Sequence, residues 1–142
     1  MSNVRRLMRK IELPRISERI RGFTLPVDGR MNVFDYDEVF QVNLGEPVTV
    51  EVLPDNPYEF EEKTADYFGV SDREPIRTAG QTKVSYNFEP SAPSVSISVD
   101  TTQGIQHIEF RTLSGDWFVA TLTPRGDFLI LAEPYLLEVY AL

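Results

Sequence analysis

Phe40-Gln41-Val42-Asn43-Leu44-Gly45-Glu46-Pro47-Val48-Thr49-Val50-Glu51-Val52 is the stretch that decides the fold. Phe40, Val42 and Leu44 alternate with Gln41 and Asn43, and Val48, Val50 and Val52 alternate with Thr49 and Glu51. Side chains two apart share a face only when the chain is extended. Gly45-Glu46-Pro47 separates the two runs, so the segment predicts an antiparallel hairpin. Pro47 has no amide hydrogen and is expected to open its strand rather than interrupt it.

The same rhythm continues toward the C-terminus. Val84, Tyr86 and Phe88 form one alternating run, and Val95, Ile97 and Val99 a second. In residues 105–113, Ile108 and Phe110 fall on one face and His107, Glu109 and Arg111 on the other. Further strands are predicted over 117–123 and 128–132. Residues 135–142 are apolar at both parities, which fits either a central strand or a short helix. Turn residues between the runs (Ser91-Ala92-Pro93-Ser94, Ser114-Gly115-Asp116, Pro124-Arg125-Gly126-Asp127) complete a mainly β pattern. The expected architecture is an antiparallel sandwich or small barrel of about 7–9 strands. No internal sequence repeat is visible.

One internal helix is expected over about residues 57–68. Asn56 suits the cap, Pro57 the first helical position, and Glu59, Glu61 and Glu62 the positive end of the helix dipole. Phe60, Thr64, Tyr67 and Phe68 would give it a buried face, with Gly69 closing it. Residues 71–81 are polar, contain Pro75 and Gly80, and predict a loop.

Charge divides the chain. Residues 1–22 hold seven bases against two acids, a net of +5, while residues 23–142 carry a net of −13. Val4, Leu7, Met8 and Ile11 recur at helical spacing, with Arg5, Arg6, Arg9 and Lys10 around them, so a basic amphipathic helix or arm is predicted there. The domain reading is therefore an arm, 1–22, and a single acidic β-rich domain, 23–142. Such an arm docks on something: an anionic partner or the acidic body of a second copy.

Composition narrows the chemistry. The chain has no cysteine, which removes disulfides, thiolate nucleophiles and cysteine-based zinc sites together. There is a single histidine, His107, and neither a glycine-rich phosphate loop nor a Gly-x-Ser-x-Gly elbow. No cofactor and no metal are expected. No apolar run approaches a membrane span, and the first residues lack the apolar core of a secretory signal, so a cytoplasmic protein is expected. A strongly acidic body repels phosphate, which leaves only the arm for nucleic acid.

Three groups of residues stand out. Asp35, Asp37 and Glu38 form an acidic knot that suits a hard cation or acid/base work, as His107 suits acid/base work. Glu59, Glu61, Glu62 and Asp66 make the internal helix an acidic dock for a basic partner. Arg125-Gly126-Asp127 spells an adhesive tripeptide but also supplies what a tight turn demands. The function these features favour is a non-catalytic interaction or assembly module, its partner a protein that includes a second copy. The alternatives are a small-ligand-binding or enzymatic β-fold using the carboxylates, and an acidic inhibitor covering a basic partner.

Overall fold

The computed structural model describes residues 8–64, 67–71 and 73–142. Strands dominate it: β1 (Arg9–Ile11), β2 (Gly22–Phe23), β3 (Arg30–Phe34), β4 (Val39–Asn43), β5 (Thr49–Leu53), then helix α1 (Pro57–Lys63), β6 (Phe68–Gly69), β7 (Thr78–Ala79), β8 (Thr82–Tyr86), β9 (Ser94–Thr101), β10 (Gly104–Arg111), β11 (Val119–Leu122), β12 (Phe128–Glu133) and β13 (Leu136–Ala141). All named strands pair antiparallel. They form three sheets, ordered β1-β13-β12-β11, β5-β4-β3-β2-β6 and β10-β9-β8-β7. No helix among the described residues is long and apolar enough to cross a membrane.

The four-stranded sheet β1-β13-β12-β11 is the middle of three layers. Along β12, Ile130 and Ala132 enter a core with Phe23, Met31, Val33, Val42 and Phe68. The alternate residues Leu129 and Leu131 enter a second core with Val84, Val95, Ile97, Val99 and Phe110. A strand buried on both faces loses its polar alternation, as parallel-sheet strands do. This explains why residues 135–142 are apolar at both parities: they contain β13, with Val139 in the first core and Leu136 and Tyr140 packed on the second. The expected two-layer sandwich or closed barrel of about 7–9 strands is thus corrected to three sheets and thirteen strands among the described residues.

The hairpin at 40–52 forms in the register Phe40↔Val52, Val42↔Val50. The loop expected over 71–81 yields one short strand, β7, paired with β8 across Gly80.

Two helix expectations are corrected. The basic N-terminal helix is not supported: Arg9–Ile11 is a strand with the register Arg9↔Ala141 and Ile11↔Val139. Met8 packs against the second core while Ile11 is buried in the first. Residues three apart lie on opposite faces of a strand but on one face of a helix, so here the sheet edge offered by β13 overrides a helix-like spacing. Val4, Arg5, Arg6 and Leu7 lie outside the described residues. The internal helix is shorter than 57–68. Its start is as expected, with Asn56 Oδ1 accepting from the amides of Tyr58 and Glu59 at 2.9 and 3.3 Å. It ends at Lys63, because Thr64 turns extended and Phe68–Gly69 is drawn into a sheet against β2. Phe68 stacks on Phe23 at 5.5 Å there, burial that a continued helix would forgo.

Gly22 and Gly69 face each other in that pairing. A Cβ on Gly69 (φ +129°) would stand 2.8 Å from the Gly22 Cα, so the approach of the two chains needs both glycines.

Candidate functional site

The basic segment is the first candidate, and the body absorbs it. All four ion pairs among the described residues join a cation of residues 9–21 to a carboxylate of the body. They are Arg9–Glu46 at 3.8 Å, Lys10–Glu138 at 3.0 Å, Arg19–Asp116 at 2.8 Å and Arg21–Glu61 at 2.6 Å. Ile11 and Ile20, at 5% and 3% exposure, anchor the segment in the first core, with Leu13 and Ile16 packed beside them. The described part, 8–22, is therefore not a free arm. It is a strap laid over the body.

Of the proposed acidic dock, Glu61 is engaged by the chain's own Arg21. The guanidinium donates through Nε at 2.6 Å and Nη2 at 3.3 Å, and the Tyr67 hydroxyl donates to Glu61 Oε1 at 2.6 Å. Tyr36 and Tyr58 sandwich the same guanidinium, its Cζ lying 5.2 and 5.0 Å from their ring centres. The Arg21 hydrogen bonds, seconded by Tyr67, hold the Glu61 carboxyl below its ordinary range against an opposing effect of burial. Glu59 and Glu62 stay exposed. Asp66 lies outside the described residues.

Asp35, Asp37 and Glu38 occupy the turn between β3 and β4. Asp35 Oδ1 accepts from the amides of Asp37 and Glu38, both at 2.7 Å, and its Oδ2 accepts from the Ser17 hydroxyl at 2.7 Å. That carboxylate closes its own turn and pins the strap. Together the three acids line an open cleft of about 570 Å³ with Arg15 and Arg19. No group of three or more His, Asp or Glu residues suited to a metal ion occurs among the described residues. Arg125-Gly126-Asp127 forms the β11–β12 turn, with Gly126 at φ +74° and the Asp127 amide donating to Thr123 Oγ1 at 3.2 Å.

His107 lies far along the chain's other layer, on the outer face of β10-β9-β8-β7. Its Nδ1 is 3.2 Å from the Ser98 hydroxyl, and neighbouring Glu109 accepts from Ser96 and Ser94. The structure does not bring His107 to the Asp35–Glu38 turn. It does bring together a row that strand spacing alone left apart: Ser85, Ser98 and His107 stand abreast, and Ser96 stands beside Glu109. Once β8, β9 and β10 are recognised as a meander, their alternating serines are the signal in the sequence for this face.

The outer sheets differ in cover. On β5-β4-β3-β2-β6, α1 and Tyr67 close over Phe34, whose ring centre lies 5.6 Å from Phe60 and 5.3 Å from Tyr67. The outer face of the His107 sheet carries small polar and charged side chains, and the sheet ends in β10, eight residues that among the described strands pair only with β9. Ile105 on that strand is 54% exposed. A long edge strand leaves a row of backbone donors and acceptors open to another chain.

Sequence reasoning also missed a groove of about 680 Å³ where residues 73–77, the end of β8 and the approach to β11 meet. It holds Arg73, Arg77, Tyr86, Phe88 and Trp117. Comparison with models of protein families, with curated proteins and with solved structures found no match.

Proposed function

We propose that this protein is a non-catalytic interaction module that assembles through the open edge of β10, with a second copy of the chain as partner. The single observation that carries the reading is that eight-residue edge, free of proline and, among the described residues, paired on one side only. Edge strands that are meant to stay single are usually short, bulged or guarded by proline or lysine. The basic strap supports the reading less, because Arg9, Lys10, Arg19 and Arg21, four of its five described cations, are engaged within the chain.

Charge along β10 favours a second copy. Its outer face reads Ile105, His107, Glu109, Arg111. In an antiparallel pair about a two-fold axis at Ile108, His107 of each chain stands opposite Glu109 of the other, and Ile105 opposite Arg111. No like charges meet, and cross-strand pairs of this kind stabilise the union.

Light scattering of the full chain tests the reading. The expected mass is twice the 16.2 kDa of one chain, falling to that of one chain in Ile105→Lys and in Glu109→Lys, with circular dichroism unchanged. Exchanging the charges in the double variant H107E/E109K should restore the dimer. A wild-type chain that stays monomeric across concentration, or a dimer indifferent to both substitutions, would overturn it.

A further inference from the structure

The groove beside β11 holds a second, independent opportunity. Ile76 covers the outer edge of β11, its carbonyl accepting from the Leu122 amide at 2.8 Å and its amide donating to Thr121 Oγ1 at 2.9 Å. Where that cover ends, at Val119, the groove opens over the seam between the two cores. Trp117 packs on the first core, and Tyr86 and Phe88 on the second. Its volume of about 680 Å³ lies within the range of about 300–1,000 Å³ typical of small-molecule sites.

Charge and geometry say what it would take. The body is strongly acidic, yet among the described residues this groove is lined by two guanidiniums, Arg73 and Arg77, and two carboxylates, Glu74 and Asp116. Asp116 is already paired with Arg19 at 2.8 Å. Arg77 is the better prepared cation. Its Cζ lies 4.5 Å from the centre of the Tyr86 ring. That ring is itself fixed, edge-on to buried Phe118 at 5.1 Å and 83°, with its hydroxyl 3.5 Å from the Ala120 amide. Arg73 rests likewise over Phe68, at 5.1 Å. A guanidinium held over a locked ring, as Arg77 is, can still offer N–H donors for a two-pronged bond to a planar anion. Half-buried Trp117 and Phe88 supply aromatic faces for the remainder of the ligand.

We infer that the groove is a binding site for a planar aromatic carboxylate, gripped at its carboxylate by Arg77 and stacked by its ring against Trp117 and Phe88. The site is separate from the β10 edge, on a different side of the sheet order, and stands or falls without it.

Trp117 is the chain's only tryptophan, so its fluorescence reports on this groove directly. The probe is 4-nitrobenzoate, whose nitroaromatic ring quenches tryptophan, and the control is the uncharged isostere 4-nitrobenzamide. The expected result is saturable quenching by the carboxylate, with the amide weaker by about tenfold or more, as loss of a charge-assisted bidentate contact requires. Arg77→Gln should weaken 4-nitrobenzoate by a similar factor, while Arg125→Gln, in an exposed turn, leaves it unchanged. Quenching that rises linearly without saturation, equal binding of acid and amide to the wild-type chain, or an unchanged R77Q would each overturn the assignment. The acid-against-amide comparison needs no variant, so misfolding of R77Q cannot rescue it.

Discussion

Removing residues 1–22, so that the chain starts at Phe23, is expected to unfold the protein rather than detach an arm. The magnitude follows from two side chains. Ile11 and Ile20 are 5% and 3% exposed, and emptying a buried isoleucine site costs about 2–5 kcal/mol. Together they are worth about 4–10 kcal/mol, against a typical total stability of about 5–15 kcal/mol. The truncation also strips β1 from β13 and removes Gly22 from its place between Phe34 and Gly69. The ion pairs contribute little by comparison, since in three of the four the cation's side chain stays well exposed to solvent. The assay is urea unfolding followed by Trp117 fluorescence and far-ultraviolet circular dichroism. The full chain should show one cooperative transition whose free energy changes little at high salt, and the truncated chain none. A truncated chain that unfolds cooperatively within about 1 kcal/mol of the full one would refute the argument. So would a full chain that loses most of its stability in salt, because the strap would then be held by charge.

Three further outcomes are expected. Glu133 is fully buried and accepts from the amides of Leu113 at 2.6 Å, Ser114 at 3.3 Å and Tyr135; Glu133→Ala leaves those donors without their acceptor and should cost about 2–4 kcal/mol in urea unfolding. Glu61 titrates below the ordinary glutamate value of 4.5 because of Arg21. Its contribution is therefore complete above that value and lost as pH falls through the lowered folded one, so the stability gap between wild type and Glu61→Gln should close in that acid window and not at neutral pH. Gly69→Ala sets a methyl group against Arg21 and 2.8 Å from the Gly22 Cα at φ +129°; thermal melting should report a loss of about 1–3 kcal/mol or more.

What the sequence disclosed follows from the range of the interactions involved. The 40–52 hairpin, the inward Ile108 and Phe110 and the Asn56–Pro57 helix start depend on neighbours in the chain, and each is present in the structure. The helix-like spacing of Met8 and Ile11 misled, because the deciding partner, β13, lies some 130 residues away in the chain. Phe60, Tyr67 and Phe68 misled similarly: their aromatic partners Phe34 and Phe23 lie on β3 and β2, far from them in the chain. The charge split was plain in composition, but its resolution within one chain was not, since Glu46, Glu61, Asp116 and Glu138 carry no mark that sets them apart from other surface acids. Nor could spacing announce a groove built from residues 73–77, 86–88 and 117.

The middle layer explains why function should be sought at an edge and a seam. A sheet buried on both faces offers a partner nothing but its rims. On one rim lies β1, tied by its ladder to β13 and flanked by the paired cations Arg9 and Lys10. On the other lies β11, covered at Ile76 and open at Val119, where the arginine and tryptophan groove begins. Of the two outer sheets, one has its face closed by α1 over Phe34. The other, among the described residues, ends in the eight-residue strand β10 paired on one side. Arg9, Lys10, Arg19 and Arg21 of the strap pair with carboxylates of the body, while His107, Glu109 and Arg111 alternate on the exposed face of β10 and Arg77 faces solvent from the Tyr86 ring.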